Sequence, residues 1–182
     1  MKNVLLGSIA AIISLSLVGC QQIAHPAGSL TGEETATTFI EPEPSDWVEY
    51  MKPIREYMYY RTQAVVSNNI DLLWNKYPEL KENIDRGQGI NVEKFEVEAL
   101  NGGFGLLDAN YSVESHNKIK VRGLNEHEAV VLVHGSIIYL RDDFDESGAE
   151  YLMEVFLENK NNSWTVVKTD EYTLSEYKDR IR

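Results

Sequence analysis

Ala129-Val130-Val131-Leu132-Val133-His134-Gly135-Ser136-Ile137-Ile138-Tyr139-Leu140 carries two interleaved apolar sets. Val131, Val133, Ile137 and Tyr139 fall on one side of an extended chain, and Val130, Leu132, Ile138 and Leu140 on the other. A strand apolar on both faces belongs in the middle of a layered domain, covered on both sides. Downstream, Tyr151, Met153, Val155 and Leu157 alternate with Leu152, Glu154, Phe156 and Glu158, a strand pattern of period two. Asn159-Lys160-Asn161-Asn162-Ser163 supplies turn chemistry before a last strand from Trp164 to Thr169. Consecutive hairpins of this kind imply an antiparallel sheet.

Upstream the signals are more mixed. Lys94 to Leu100 and Tyr111 to Val121 read as strands broken by Asn101-Gly102-Gly103, with a helix over Val92 to Leu100 as the alternative. From Asp46 the period becomes helical. Trp47, Met51, Ile54, Met58 and Val65 lie near one face, with Ser45 or Asp46 as N-cap, and Pro53 either kinks the helix or marks its start. Tyr57, Tyr59 and Tyr60 are expected at the core margin with hydroxyls reaching solvent. A shorter helix is capped by Asn69, runs through Ile70, Leu72, Leu73, Trp74 and Tyr77, and stops near Pro78. Glu79 to Ile84 adds a turn, and Ser175 to Arg182 a short frayed helix.

Helices first, then a bent antiparallel sheet, resembles the NTF2-like (SnoaL-like, cystatin-like) cone. Arg61-Thr62-Gln63-Ala64 leading into Asn69-Ile70-Asp71-Leu72-Leu73-Trp74 is similar to that superfamily's opening helices. Glu128 to Leu140 with Glu150 to Leu157, closed by Asn162-Ser163-Trp164-Thr165-Val166-Val167, is similar to its last three strands. The resemblance covers about Asp46 to Tyr172. It implies an α+β domain in which N-terminal helices pack on a strongly curved sheet and enclose a pocket, frequently with dimerisation through the sheet. The superfamily holds enzymes and non-enzymes alike.

Proton-transfer chemistry of the ketosteroid-isomerase or dehydratase type needs a carboxylate or histidine base inside such a cone, facing a tyrosine or protonated acid. His134 on the central strand points to one side and Tyr139 to the other; His116 and His127 read as loop or edge residues, and His25 lies near the N-terminus. No catalytic set of the family maps onto the chain, so no catalytic residue and no organic cofactor is assigned. An enzyme would place at least two ionisable groups face to face in the cone, and a lining of aliphatic and aromatic side chains alone would exclude it. One short pattern points to a metal. Asp143, Asp145, Ser147 and Glu154, with Gly148 at the sixth position, fit the calcium loop D-x-D-x-S-G-x5-E. Strand-like flanks and Glu150 at the eighth position favour a solvated acidic hairpin tip instead.

The N-terminus carries an address. Lys2 precedes an uncharged run from Val4 to Val18 ending in Leu17-Val18-Gly19-Cys20. A signal peptide needs about 7–15 apolar residues after a positive start, whereas a membrane-spanning helix needs roughly 18 or more. The closing tetrapeptide resembles the lipobox of bacterial lipoprotein precursors, which implies diacylglyceryl transfer to Cys20 and cleavage before it. Cys20 is the only cysteine, so no intramolecular disulfide competes for it. Residues 1–19 are thus expected to be a leader and residues 20–45, with Pro26, Gly28, Gly32 and Glu41-Pro42-Glu43-Pro44, a lipidated tether. Such a coil reaches roughly 25–30 Å. Residues 46–182 form the domain.

Removing Lys2 with the leader takes the formal charge from −12 to −13. This disfavours nucleic acid as a partner, because phosphates must be met by clustered Lys and Arg. The expectation is a lipid-anchored, extracytoplasmic protein of the cell envelope, in the outer membrane if its source has one, since Gln21 argues against inner-membrane retention. Its domain would bind a small ligand or an envelope protein without catalysis, and an enzyme acting on a small apolar molecule is the alternative.

Overall fold

The computed structural model describes residues 38–85, 89–102, 105–113, 119–173, 175, 176 and 178. Every described residue belongs to one compact unit, Gly32–Arg182. Cys20, the leader, His25 and His116 lie outside the described residues, as does most of the tether.

Three helices precede the sheet: α1 (Pro44–Val66), α2 (Asp71–Lys76) and α3 (Val92–Leu100), with a 3-10 turn at Pro78–Glu82 between the last two. The strands follow as β1 (Leu106–Ser112), β2 (Ile119–Asn125), β3 (Glu128–Arg141), β4 (Glu146–Lys160) and β5 (Ser163–Glu171), all paired antiparallel in one strongly curled sheet. The architecture is α+β, with helices packed on the sheet.

The long strand β3 organises the sheet. β1 pairs with its C-terminal half, Ser112 opposite Ser136, and β2 with its N-terminal half, Ile119 opposite Val133, so both lie in line along one edge. The single strand expected over Tyr111 to Val121 is therefore two strands. β4 covers the other edge of β3 from Glu128 to Leu140, and β5 continues outward, pairing with β4 from Met153 to Lys160. At the β4–β5 turn Asn161 and Asn162 take positive φ values of 55° and 60°, the left-handed conformation that asparagine tolerates better than most residues.

The inner face of β3 is covered from Ala129 to Ile137, the outer face around Val130 and Leu132, and Ile138 of the outer set stays 49% exposed. Ala129, Val131, Val133 and Ile137 join Met153, Val155 and Leu157 of β4 against Ile54, Tyr57 and Met58 of α1. On the opposite face Leu132 and Leu152 pack against Phe39 and Tyr172. Phe39 reaches them because Ile40 bridges to Val121 by two backbone hydrogen bonds, at 2.9 and 2.7 Å. The short edge segment at Phe39 and Ile40 thus forms despite the prolines that follow.

Three further expectations are corrected. Lys94 to Leu100 is helical: Asn91 Oδ1 accepts from the Lys94 N–H at 2.9 Å, and this cap fixes α3 where alternating Phe95 and Val97 suggested a strand. α1 begins at Pro44, in the first turn where a missing N–H costs nothing, with Glu43 as N-cap in place of Ser45 or Asp46. It runs through Pro53, itself buried, without ending there. Tyr57 is fully buried with its hydroxyl directed inward, and only Tyr59 of the three tyrosines is largely exposed.

Candidate functional site

The apolar stripe of α1 contains one charged residue. Met51, Ile54, Tyr57 and Met58 lead one turn later to Arg61, then Ala64 and Val65, and Arg61 is 3% exposed. A guanidinium taken out of water must be hydrogen-bonded to groups of opposite charge. Arg61 Nε donates to Glu96 Oε2 of α3 at 2.6 Å, and Nη2 donates to Glu171 Oε1 at the end of β5 at 2.5 Å. Its Nη1 is buried and has no hydrogen-bond acceptor among the described residues.

Glu96 is saturated. Besides Arg61, its Oε1 accepts from the Tyr111 hydroxyl of β1 at 2.5 Å and from the Tyr139 hydroxyl of β3 at 2.6 Å. The two rings meet edge to face, and the guanidinium carbon of Arg61 lies 5.0 Å from the centre of the Tyr111 ring. Burial pushes the Glu96 carboxyl up, but the Arg61 charge with hydrogen bonds from Arg61, Tyr111 and Tyr139 outweighs this and holds it below the usual carboxylate range. Glu171 goes the other way. Burial and the neighbouring Glu96 charge raise it against the pull of Arg61. Burial likewise raises Tyr111, Tyr139 and Tyr151, which stay protonated donors at neutral pH.

Behind this cluster lies a second. The Glu93 carboxylate, one turn before Glu96 and 1% exposed, accepts from Tyr57 at 3.3 Å, from Asn83 Nδ2 at 3.0 and 3.1 Å, and from Thr169 Oγ1 at 2.5 Å. No cation contacts it among the described residues. The first cluster floors a cavity of about 230 Å3. Ile137, Ala149, Glu150, Tyr151, Leu152 and Tyr172 line the rest of it, the Glu150 carboxylate lying 3.0 Å from His134 Nε2. β4 is paired with β5 from Met153 onward, and Leu152 O still accepts from the Tyr172 N–H at 2.8 Å, so the cavity lies beside the end of β5.

Neither of the described histidines, His127 and His134, lines this cavity. His134 faces away from the cone, its Nε2 3.0 Å from Glu150 Oε2, and His127 lies in the turn between β2 and β3. Tyr139, on the opposite parity, does point inward. The members of the calcium motif are dispersed. Asp143 and Asp145 hydrogen-bond to Arg141 and Ser147 is exposed in β4. Glu154 is buried in the same strand, roughly 25 Å from Glu146 at the strand rise per residue, and accepts from the Tyr172 hydroxyl at 2.9 Å. Among the described residues no group of three His, Cys, Asp or Glu side chains is placed to hold a metal. Millimolar calcium is accordingly expected to leave the melting temperature unchanged within about one degree, and a chelator-reversible rise of several degrees would show that the loop rearranges around the ion.

Sequence reasoning missed Arg61, Glu96, Glu171 and the inward role of Tyr111. The available signal was the stripe position of Arg61, a charge where the helical period calls for an apolar side chain. No protein-family model matches the chain, and no curated protein sequence matches it. Among solved structures it is similar to a Xanthomonas campestris protein named for a calcium/calmodulin dependent protein kinase II association domain, at 12% identity over 79% of this chain and 99% of that one, with a TM-score of 0.49. It is similar to a Novosphingobium aromaticivorans protein named for scytalone dehydratase, at 13% identity over 72% and 93%, TM-score 0.45. It is also similar to an NTF2-like superfamily protein of Salmonella enterica, at 10% identity over 70% and 92%, TM-score 0.45. At such identities no activity passes from those proteins to this one.

Proposed function

We propose that this chain is a lipid-anchored protein of the bacterial envelope whose cone pocket binds a small ligand without transforming it. The anchor rests on Leu17-Val18-Gly19-Cys20 behind its charged and apolar leader. Two acyl chains on one cysteine give stable attachment, each buried methylene contributing about 0.8 kcal/mol.

The observation that carries the binding reading is how the groups around the cavity spend their protons. A catalytic cone needs a base free to accept and an acid free to donate. Here Glu96 is fully hydrogen-bonded and held ionised, the Tyr111 and Tyr139 protons are committed to it, and Arg61 holds two carboxylates. These groups hold one another in place and leave a polar floor beneath the cavity with one carboxylate in excess, which suits recognition.

One observation favours the enzyme as a second reading. The Glu171 carboxyl, about one third exposed and raised in pKa, stands at the cavity as a proton acceptor close to the buried Tyr151. Native mass spectrometry of the mature protein, purified from membranes of its own host, tests both anchor and pocket. The expected result is a diacylated N-terminal Cys20 and a bound small molecule recovered unchanged after incubation. An unmodified cysteine or a retained leader would overturn the anchor, and conversion of the bound molecule on incubation would move the assignment to the enzyme. Dimerisation through the outer face of the sheet, where Leu107 and Ile138 are about half exposed, is the companion proposal, and light scattering showing only monomer at high concentration would reject it.

A further inference from the structure

The hydrogen-bonding capacity left over around the cavity is unequal. Arg61 spends Nε and Nη2 on carboxylates, and its remaining Nη1 is sealed beneath the protein surface. An anionic ligand would have to reach that buried nitrogen past Glu171 and settle beside Glu96. The unspent acceptor is in the open. Glu171 gives Oε1 to Arg61, no hydrogen bond among the described residues occupies its Oε2, and its side chain is 34% exposed. Two carboxyl groups, Glu96 and Glu171, share the single guanidinium of Arg61, and a third, Glu93, lies in the adjoining cluster with no cation in contact among the described residues. The ring of Tyr151, packed at 6.1 Å from that of Tyr111, adds an aromatic wall, and aromatic faces attract cations by their quadrupole. The formal charge of −13 after loss of the leader draws cations toward the domain at long range.

We infer that the cavity selects a small protonated amine, its ammonium group beside Glu171 Oε2 and its apolar part against Tyr151 and Ile137. This rests on the binding reading above and adds the sign of the ligand's charge. The cavity volume of about 230 Å3 sets the scale: an engineered cavity of about 150 Å3 accepts benzene, so this one admits a single ring with a short side chain. An ammonium offers three donors and needs no acid to release it, so it fits a site whose spare capacity is an acceptor.

Three probes of one shape separate charge from size: benzylammonium, benzoate and benzyl alcohol, each titrated calorimetrically into the mature protein at neutral pH. Benzylammonium is expected to bind at least about ten-fold more tightly than either of the others, the usual gain of a charge-assisted hydrogen bond. Glu171→Gln, which keeps a carbonyl for Arg61, is expected to weaken benzylammonium by about ten-fold while leaving benzyl alcohol within about two-fold. Its melting temperature, compared with that of the wild type, shows whether the fold is retained, and Tyr151→Leu provides a second variant that weakens the cation through the ring instead of the carboxylate. Benzoate binding as tightly as benzylammonium, equal affinities for all three, no binding of any, or a folded Glu171→Gln protein with unchanged affinity would each overturn the inference. Recovery of an anionic or neutral molecule from the host-purified protein would overturn it while leaving the binding module intact, whereas conversion of the bound molecule would defeat the binding reading itself.

Discussion

Arg61→Met is expected to destabilise the domain by about 3–5 kcal/mol at pH 7, the usual cost of removing one partner from a buried ion pair. Methionine fills the space of the arginine stem, so packing is largely kept and the loss reports charge. Glu96 then keeps two tyrosine donors but no cation, and Glu171 loses its only hydrogen-bond donor among the described residues.

The sign of the pH dependence follows from Glu96. Its folded pKa is held below the unfolded value, so it contributes stability above the unfolded pKa that disappears as pH falls through the folded one. Without Arg61 the largest lowering influence is gone and burial raises the group instead. The variant must then ionise a buried carboxyl as pH rises through the carboxylate range, and its deficit against the wild type is larger at pH 7 than at pH 4. Urea unfolding at both values measures this. Adding Glu96→Gln to Arg61→Met is expected to recover part of the loss at pH 7 and little at pH 4. A deficit under 1 kcal/mol, or one independent of pH, would mean that the cluster does not hold the helices to the sheet.

Why this cluster escaped a reading of the sequence, when the sheet around it did not, is a matter of which side chains carry the period. β3, β4 and β5 bury valine, leucine and isoleucine, so their alternation is visible residue by residue. In α3 the inward positions are Glu93, Glu96, Val97 and Leu100, and half of that stripe is acidic. Two acidic members narrow its apolar part, and Phe95, more than half exposed, supplies a false alternation with Val97. Arg61 breaks the stripe of α1 in the same way. Each polar residue is tolerable only because partners from 15 to 110 positions away arrive to satisfy it: Glu96 and Glu171 for Arg61, Tyr111 and Tyr139 for Glu96. Local periodicity cannot contain that information. The cap at Asn91, which accepts from the Lys94 N–H, is a local feature that sets the start of α3.

Gly135→Ala is expected to cost about 1–3 kcal/mol, the range of overpacked interiors, and to deform the pocket as well. Gly135 interrupts the apolar side of β3 directly opposite Tyr151 of β4. A Cβ at this position would run into the Tyr151 phenol carbon and hydroxyl and into the Ser112 carbonyl of β1. The glycine is there to admit the ring across the strand, where it packs on Tyr111 and points its hydroxyl toward Ser112 O at 3.4 Å. Because Tyr111 in turn holds Glu96, a displaced Tyr151 ring passes its shift to the ion-pair cluster. Two obstacles can be separated by a second substitution. Tyr151→Ala in the Gly135→Ala background removes the ring but leaves the Ser112 carbonyl in place, so stability should recover in part, while Tyr151→Phe alone should cost less than about 1 kcal/mol because its hydroxyl makes only a long hydrogen bond. Near-ultraviolet circular dichroism of the tyrosines, with urea unfolding, reads both effects. If Gly135→Ala unfolds with the wild-type midpoint and leaves the tyrosine spectrum unchanged, the strand has room to yield, and the wall of the cavity is softer than its packing implies.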